Sequence, residues 1–258
     1  MPPTANRRTA NRRTALRWIS LIVFALVLAT LFIQLGQWQL RRLEERRANN
    51  AIVERAESAE VGEWTDYLGD QPPSAEDEWR RVRIEGTYLT DQQYVVRFRT
   101  NGDARGYEVI TPLRTDDGRI VLIDRGFGAV PDGGQMPTSA PAAPTGPVSL
   151  VARIRVDERG GAGQVPQDGQ IWAVNSGAIA EDLGTEVVPG WLQLDTSDVE
   201  QQGGLVPAAL PALDEGPHFS YAMQWFSFTL IGVVGVVVFI RADLKDRRRQ
   251  QARATLAR

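Results

Sequence analysis

The stretch Trp18-Ile-Ser-Leu-Ile-Val-Phe-Ala-Leu-Val-Leu-Ala-Thr-Leu-Phe-Ile33 decides how the rest of the chain is read, because it is the apolar centre of an uncharged run over residues 18–40. A helix rising about 1.5 Å per residue carries such a run across the ~30 Å hydrocarbon core of a bilayer. A cleaved signal peptide is the competing reading, since arginines precede the run. Its length and the Arg41-Arg42 pair that stops it favour a retained span. A second uncharged run, Phe219-Ser-Tyr-Ala-Met-Gln-Trp-Phe-Ser-Phe-Thr-Leu-Ile-Gly-Val-Val-Gly-Val-Val-Val-Phe-Ile240, ends at Arg241. The expectation is two transmembrane helices, 18–40 and 218–240, around a polar body.

Charge divides along the chain in the same way. Residues 1–40 hold five arginines and no acid, residues 241–258 hold seven basic and two acidic groups, and residues 41–217 hold thirty acids against seventeen arginines. Basic segments remain on the cytoplasmic side of a membrane, so 1–17 and 241–258 are expected as cytoplasmic tails and 41–217 as an extracytoplasmic domain. Arg41, Arg42, Arg46 and Arg47 oppose this orientation, but it satisfies both terminal clusters at once. The tails suit anionic lipid, whereas the acid-rich body argues against nucleic acid as a partner.

The body reads as strand-rich. Apolar residues alternate in Arg81-Val-Arg-Ile-Glu-Gly-Thr-Tyr88, in Gln93-Tyr-Val-Val-Arg-Phe98 and in Gly106-Tyr-Glu-Val-Ile-Thr-Pro-Leu113. Asp116-Asp-Gly118 predicts a hairpin turn into Arg119-Ile-Val-Leu-Ile-Asp124. Val148, Leu150, Ala152, Ile154 and Val156 share one strand face, Gln170-Ile-Trp-Ala-Val-Asn175 and Trp191-Leu-Gln-Leu-Asp195 read as further strands, and Ser176 to Leu183 reads as a short helix. Residues 41–63 continue the first span as a charged helix, residues 60–78 form a loop, and the proline-rich 131–147 is a surface loop or mobile excursion. The fold class expected is two transmembrane helices flanking a strand-rich α+β domain, mainly antiparallel.

Candidate chemistry is sparse. With no cysteine and one histidine, His218, thiolate catalysis, zinc–thiolate sites, iron–sulfur clusters and multi-histidine metal sites are excluded. Asp124-Arg-Gly-Phe-Gly128 lies at the end of an apolar strand. There the Arg125 fork either binds a carboxylate or phosphate beside a tight turn at Gly126, or pairs locally with Asp124. His218 opens the second apolar run and shares a helical strip with Tyr221 or Ala222, Trp225 and Thr229. That strip suits either an imidazole offered to haem iron beside aromatic rings or an interfacial aromatic belt. No carboxylate spacing marks an acid/base pair, and Ser220 close to His218 is not a triad.

Four segments together resemble the surfeit-locus family of cytochrome c oxidase assembly factors, also called the Shy family. They are Leu35-Gly-Gln-Trp-Gln-Leu-Arg-Arg42; Trp79-Arg-Arg-Val82 through Gly86-Thr-Tyr88; Gly106-Tyr-Glu-Val109 with Pro112-Leu113 and Asp124-Arg-Gly-Phe127; and His218-Phe-Ser-Tyr-Ala-Met-Gln-Trp-Phe-Ser-Phe228. The resemblance implies a non-enzymatic assembly factor in a bacterial plasma membrane that helps mature the haem a centre of the oxidase's catalytic subunit, with haem a held transiently and delivered. It implies His218 as the haem-associated ligand, Trp225 as a wall, and Gly36, Trp38, Gly86, Tyr88, Gly106, Arg125, Gly126 and Tyr221 as motif positions. Phe127 stands where the family usually has tryptophan. The implied partners are the haem-copper oxidase catalytic subunit and the haem a biosynthesis machinery. Alternative readings are a structural module that stabilises an oxidase intermediate without haem and, last, a membrane-attached hydrolase using His218.

Overall fold

The structure is a computed structural model that describes residues 5–256, with side chains described at 16–250, 252 and 253. The tail arginines at 7, 8, 12, 13 and 258 therefore have side chains outside the described residues. The chain divides into two compact units, a helical one of residues 1–48 with 214–258 and a sheet-built one of residues 49–213.

Two helices make the first unit. Helix α1 runs Ala5–Ser58 and contributes its last turns to the second unit, while α3 runs His218–Leu256, well past the expected end of the apolar run at Ile240. Both helices are long and apolar enough to cross a membrane, and their apolar windows are almost wholly unburied by protein. Such windows are stable only with something other than water around them. The helices are antiparallel: the Trp18 indole Nε1 donates to Asp243 Oδ2 at one end (3.0 Å), and Arg47 meets Glu215 at the other (2.7 Å). Between these ends the absence of a side chain at Gly36 lets the Phe226 ring lie against α1, since a Cβ there would fall 2.5 Å from Cε1.

The second unit is a small barrel. Its strands are β1 (Gly62–Glu63), β2 (Arg81–Tyr88), β3 (Tyr94–Asn101), β4 (Ala104–Arg114), β5 (Ile120–Ala129), β6 (Pro147–Arg155), β7 (Gln170–Ile171) and β8 (Trp191–Ser197), with helix α2 (Ser176–Leu183) between the last two. Pairings run β2–β6–β8–β5–β4 and return from β4 to β2 through Thr87↔Arg114 and Tyr88↔Leu113, so five strands close on themselves. This is a Greek-key barrel of the five-stranded kind. Strands β3 and β7 extend the sheet beyond β4, and β1 adds to β2. The sheet is mixed rather than simply antiparallel: β1–β2, β3–β7 and β5–β8 are parallel. A parallel neighbour requires a crossover, which residues 130–190 supply between β5 and β8.

Burial follows the pleat. In β2 alternate residues are buried, and Val82 and Ile84 join Leu113, Ile123, Leu150, Ile154 and Leu192 in the barrel interior. Strand β5 is buried on both faces because Ile123 points into that cluster whereas Leu122 joins Ile110, Val96, Ile179 and Trp191 outside it, under α2. Helix α2 is set by local chemistry: Asn175 Oδ1 accepts the Ala178 N–H at 3.0 Å, and Gly184 ends the helix in a left-handed conformation. The last turns of α1 dock on the barrel through Val53, Ala56 and Trp79, and Arg153 ion-pairs with Glu57 and Asp195.

Three local expectations change. Asp124 to Gly128 is not a turn, because β5 continues through it to Ala129. The strand expected over 170–175 pairs for only two residues. The interval 60–78 contains β1 and a 3-10 turn, Trp64–Asp66, whose Trp64 ring is buried in the barrel core.

Candidate functional site

The candidate residues separate into the two units. Gly36, Trp38, His218, Tyr221 and Trp225 belong to the helical pair, and Gly86, Tyr88, Gly106, Arg125 and Gly126 belong to the barrel.

Within the barrel the motif residues build the fold. Arg125 is 1% exposed, and its guanidinium donates four hydrogen bonds: Nε to Gln201 Oε1 (2.9 Å), Nη1 to Gln93 Oε1 (2.7 Å) and Pro141 O (3.0 Å), and Nη2 to Ala142 O (2.8 Å). It neither pairs with Asp124 nor offers a free fork for an anion. Instead it pins residues 141–142, so the proline-rich segment is fastened at its centre, with Ala143 in the core, rather than a free excursion. Burial holds the Arg125 guanidinium below its ordinary pKa. Tyr88 packs in the barrel core, 5.8 Å from the Arg125 guanidinium, and burial pushes its phenol up.

The glycines serve close approach. At Gly126 (φ 129°) a Cβ would lie 2.5 Å from Val206 O, at the place where Phe127 and Val206 exchange backbone hydrogen bonds of 2.7 and 2.9 Å. At Gly86 and Gly106 a Cβ would overlap the carbonyl oxygens of Arg114 and Gly128.

Asp124 is wholly buried. Its Oδ1 accepts the Gly126 N–H (2.9 Å), while Oδ2 has no partner among the described residues. Burial, then the nearby Glu108 carboxylate, drive its pKa well above the usual range, and Arg99 and Arg155 only partly oppose this. The folded protein thus holds a proton that the unfolded chain releases above pH ~4. The stabilisation is complete below that pH and lost as pH rises through the folded pKa. Asp124→Asn keeps an acceptor for Gly126 without the proton, so urea midpoints measured from pH 4 to 8 should fall less steeply for the variant than for wild type. Parallel curves would show that Asp124 is ionised in the fold.

In the helical unit His218 is the first residue of α3, after Gly216 in a left-handed conformation. Its Nδ1 lies 2.8 Å from the Gln39 side-chain oxygen on α1. An amide oxygen only accepts, so this geometry has Nδ1 donating, which in the neutral ring leaves the lone pair on Nε2. Nε2 has no hydrogen-bond partner among the described residues. Metal-ligating histidines are oriented through such a bond on the non-ligating ring nitrogen. The partner, Gln39, is not evident from sequence beyond its being a polar residue at the end of an apolar run.

Trp225 is two turns along α3, about 10 Å from His218 in helix rise. Its ring lies 5.4 Å from Phe32 of α1 and 5.9 Å from Phe228, forming an interhelical cluster rather than a contact with the imidazole. Tyr221 and Trp38 are about half exposed, with the Arg42 guanidinium 5.9 Å from the Trp38 ring. Among the described residues the Ser220 hydroxyl makes no bond to His218 and no carboxylate is paired with the imidazole, so they assemble no nucleophilic triad. Among the described residues no group of three or more His, Cys, Asp or Glu side chains is placed to hold a bare metal ion.

A closed five-stranded barrel, flanked in sequence by two helices long and apolar enough to span a bilayer, defines the class of protein, and the chain's one imidazole opens the second of those helices. The chain belongs to the SURF1 family, which its residues 26–230 match. An uncharacterized SURF1-like protein of Mycobacterium tuberculosis is 35% identical over 227 residues, covering 86% of this chain and 82% of the relative. SURF1-like proteins of Monosiga brevicollis (28% over 236 residues, 80% and 82% covered) and Rickettsia conorii (20% over 220 residues, 82% and 88% covered) are more distant relatives.

Proposed function

We propose that this chain is a non-enzymatic assembly factor for a haem a-containing cytochrome c oxidase, and that His218 Nε2 is the haem-iron ligand while haem a is held for delivery to the catalytic subunit. The observation that carries the reading is the Gln39–His218 hydrogen bond, which orients the ring and reserves Nε2. Haem, when bound, supplies an iron centre that takes axial ligands. The protein's part is to fix the imidazole and to provide apolar helix surface beside it, including Phe219 and the Phe32–Trp225–Phe228 cluster. With one histidine in the chain, two histidines of one copy cannot hold the iron together, so any further ligand would be of another type or come from a partner.

The membrane placement is part of the proposal: a bacterial plasma membrane crossed twice, with both basic ends in the cytoplasm and the acidic barrel outside. Haem a biosynthesis enzymes would be the donors and anionic lipids the neighbours of the tails. A purely structural module is the second reading, favoured by the exposed Trp38 and Tyr221, which suit a bilayer interface as well as a ligand.

Protein purified from cells that make haem a should show a haem absorption band that His218→Ala abolishes. Gln39→Leu, which removes only the positioning bond, should shift or weaken the band. If wild type and His218→Ala both lack haem yet both retain the oxidase subunit, the custody role is wrong and the structural module stands.

A further inference from the structure

The outer edge of the extended sheet carries an unusual surface. A bulge in β3 between Val96 and Arg99 places Phe98 at φ 59°, a left-handed conformation that an aromatic residue rarely adopts. The outcome is a stack: the Phe98 and Trp172 rings lie 5.1 Å apart at 19°, and both remain about 60% exposed. The Arg97 guanidinium stands 5.2 Å from one ring centroid and 5.8 Å from the other. In a domain with a large excess of acids, Arg97 has no ion pair among the described residues, and its Nε is shielded from solvent without a hydrogen-bond partner. Arg105 likewise has no ion pair among the described residues, whereas Arg99 is held by Glu108 and Glu158.

Two clefts meet at this surface. One of about 800 Å³ is lined by Trp172, Asp168 and Met136 among others, and one of about 510 Å³ by Phe98 and Arg105 among others. They share Arg97, Met136 and Thr138, so the two clefts adjoin. Strained backbone, exposed stacked aromatics and unpaired arginines together mark a recognition surface rather than a packing face.

We propose that the Phe98–Trp172 stack with Arg97 and Arg105 binds an extended segment of a partner polypeptide that carries carboxylate side chains beside aromatic or proline residues. Charge complementarity selects the acid, because these two guanidiniums form no ion pair with a carboxylate among the described residues. The two linked, open clefts select a segment over a compact ligand, which would be enclosed in a single pocket. Rigid aromatic rings supply contact area at small entropic cost, and Arg97 lies where it can reach a carboxylate across them. The site is independent of His218.

The test uses the full chain in detergent micelles and a fluorescein-labelled peptide, acetyl-Glu-Phe-Pro-Glu-Trp-Pro-amide, read by anisotropy. Saturable binding is expected, weakened by salt and absent for the version with lysine in place of glutamate. Arg97→Gln and Trp172→Ala should each weaken it at least about tenfold, as truncation of a central hot-spot residue does. His218→Ala should bind as wild type does, so failure of the haem reading leaves this one intact. Unchanged melting temperatures in the variants exclude unfolding as the cause. Absence of saturable binding, equal binding of the lysine peptide, or equal affinity in both edge variants would overturn the proposal. So would 2-naphthoate binding as tightly as the peptide, which would assign the surface to a small aromatic carboxylate.

Discussion

Arg125→Ala should cost at least about 3 kcal/mol and leave the barrel unfolded or loosely packed at physiological temperature. Four hydrogen bonds vanish together, and the part-buried carbonyl oxygens of Pro141 and Ala142 lose the donor that fastens them to β5. Hydrogen bonds to a charged group contribute about 1.5–3 kcal/mol each, and the space left by the buried Arg125 side chain adds a cavity penalty. Arg125→Lys is no rescue, because an ammonium cannot span acceptors placed for a planar fork. Urea unfolding followed by tryptophan fluorescence reads the loss, since Trp64 and Trp191 are buried in the barrel's two clusters. Proteolysis within 131–147 should accelerate in parallel. A wild-type midpoint for either variant would mean that the four bonds contribute nothing net.

Gly106→Ala is the second large effect. The added Cβ would overlap Gly128 O and lie 2.7 Å from the Phe127 ring, so β4 and β5 must separate where Tyr107 pairs with Gly128. The obstacle is backbone rather than a flexible side-chain end, so relaxation means a broken ladder, at a cost of about 3 kcal/mol or more. Gly69→Ala is the matched control, since nothing lies within 4 Å of its Cβ position. Differential scanning calorimetry should show a shift of many degrees for the first and almost none for the second.

Much of the architecture is visible in the sequence where one residue is locally coupled to the next. Arg81–Tyr88 and Pro147–Arg155 alternate because each lies against a core on one face, and Ser176–Leu183 carries its own caps in Asn175 and Gly184. The parallel seams are invisible for the opposite reason. Pairing of Ile123 with Leu192 depends on segments about seventy residues apart, and neither strand encodes the direction of its neighbour. The misreading of Asp124 to Gly128 has the same origin. Arg125 looks like a strand end until Gln93, Gln201 and the carbonyls of 141–142 arrive to satisfy it. At the candidate ligand site His218 was conspicuous as the chain's one imidazole, but the Gln39 oxygen that assigns its tautomer comes from the other helix.

The closed barrel also constrains the order of events during synthesis. Strand β8 fills the gap between β5 and β6, yet it is among the last parts of the domain to be made. Until Trp191–Ser197 is available, β5 and β6 each present an open edge, the kind of edge that recruits other chains. With so many pairings of long sequence separation, closure belongs among slow folding reactions. The nascent domain therefore spends its vulnerable interval with unpaired edges exposed, and chaperone demand should peak just before residue 197 is released.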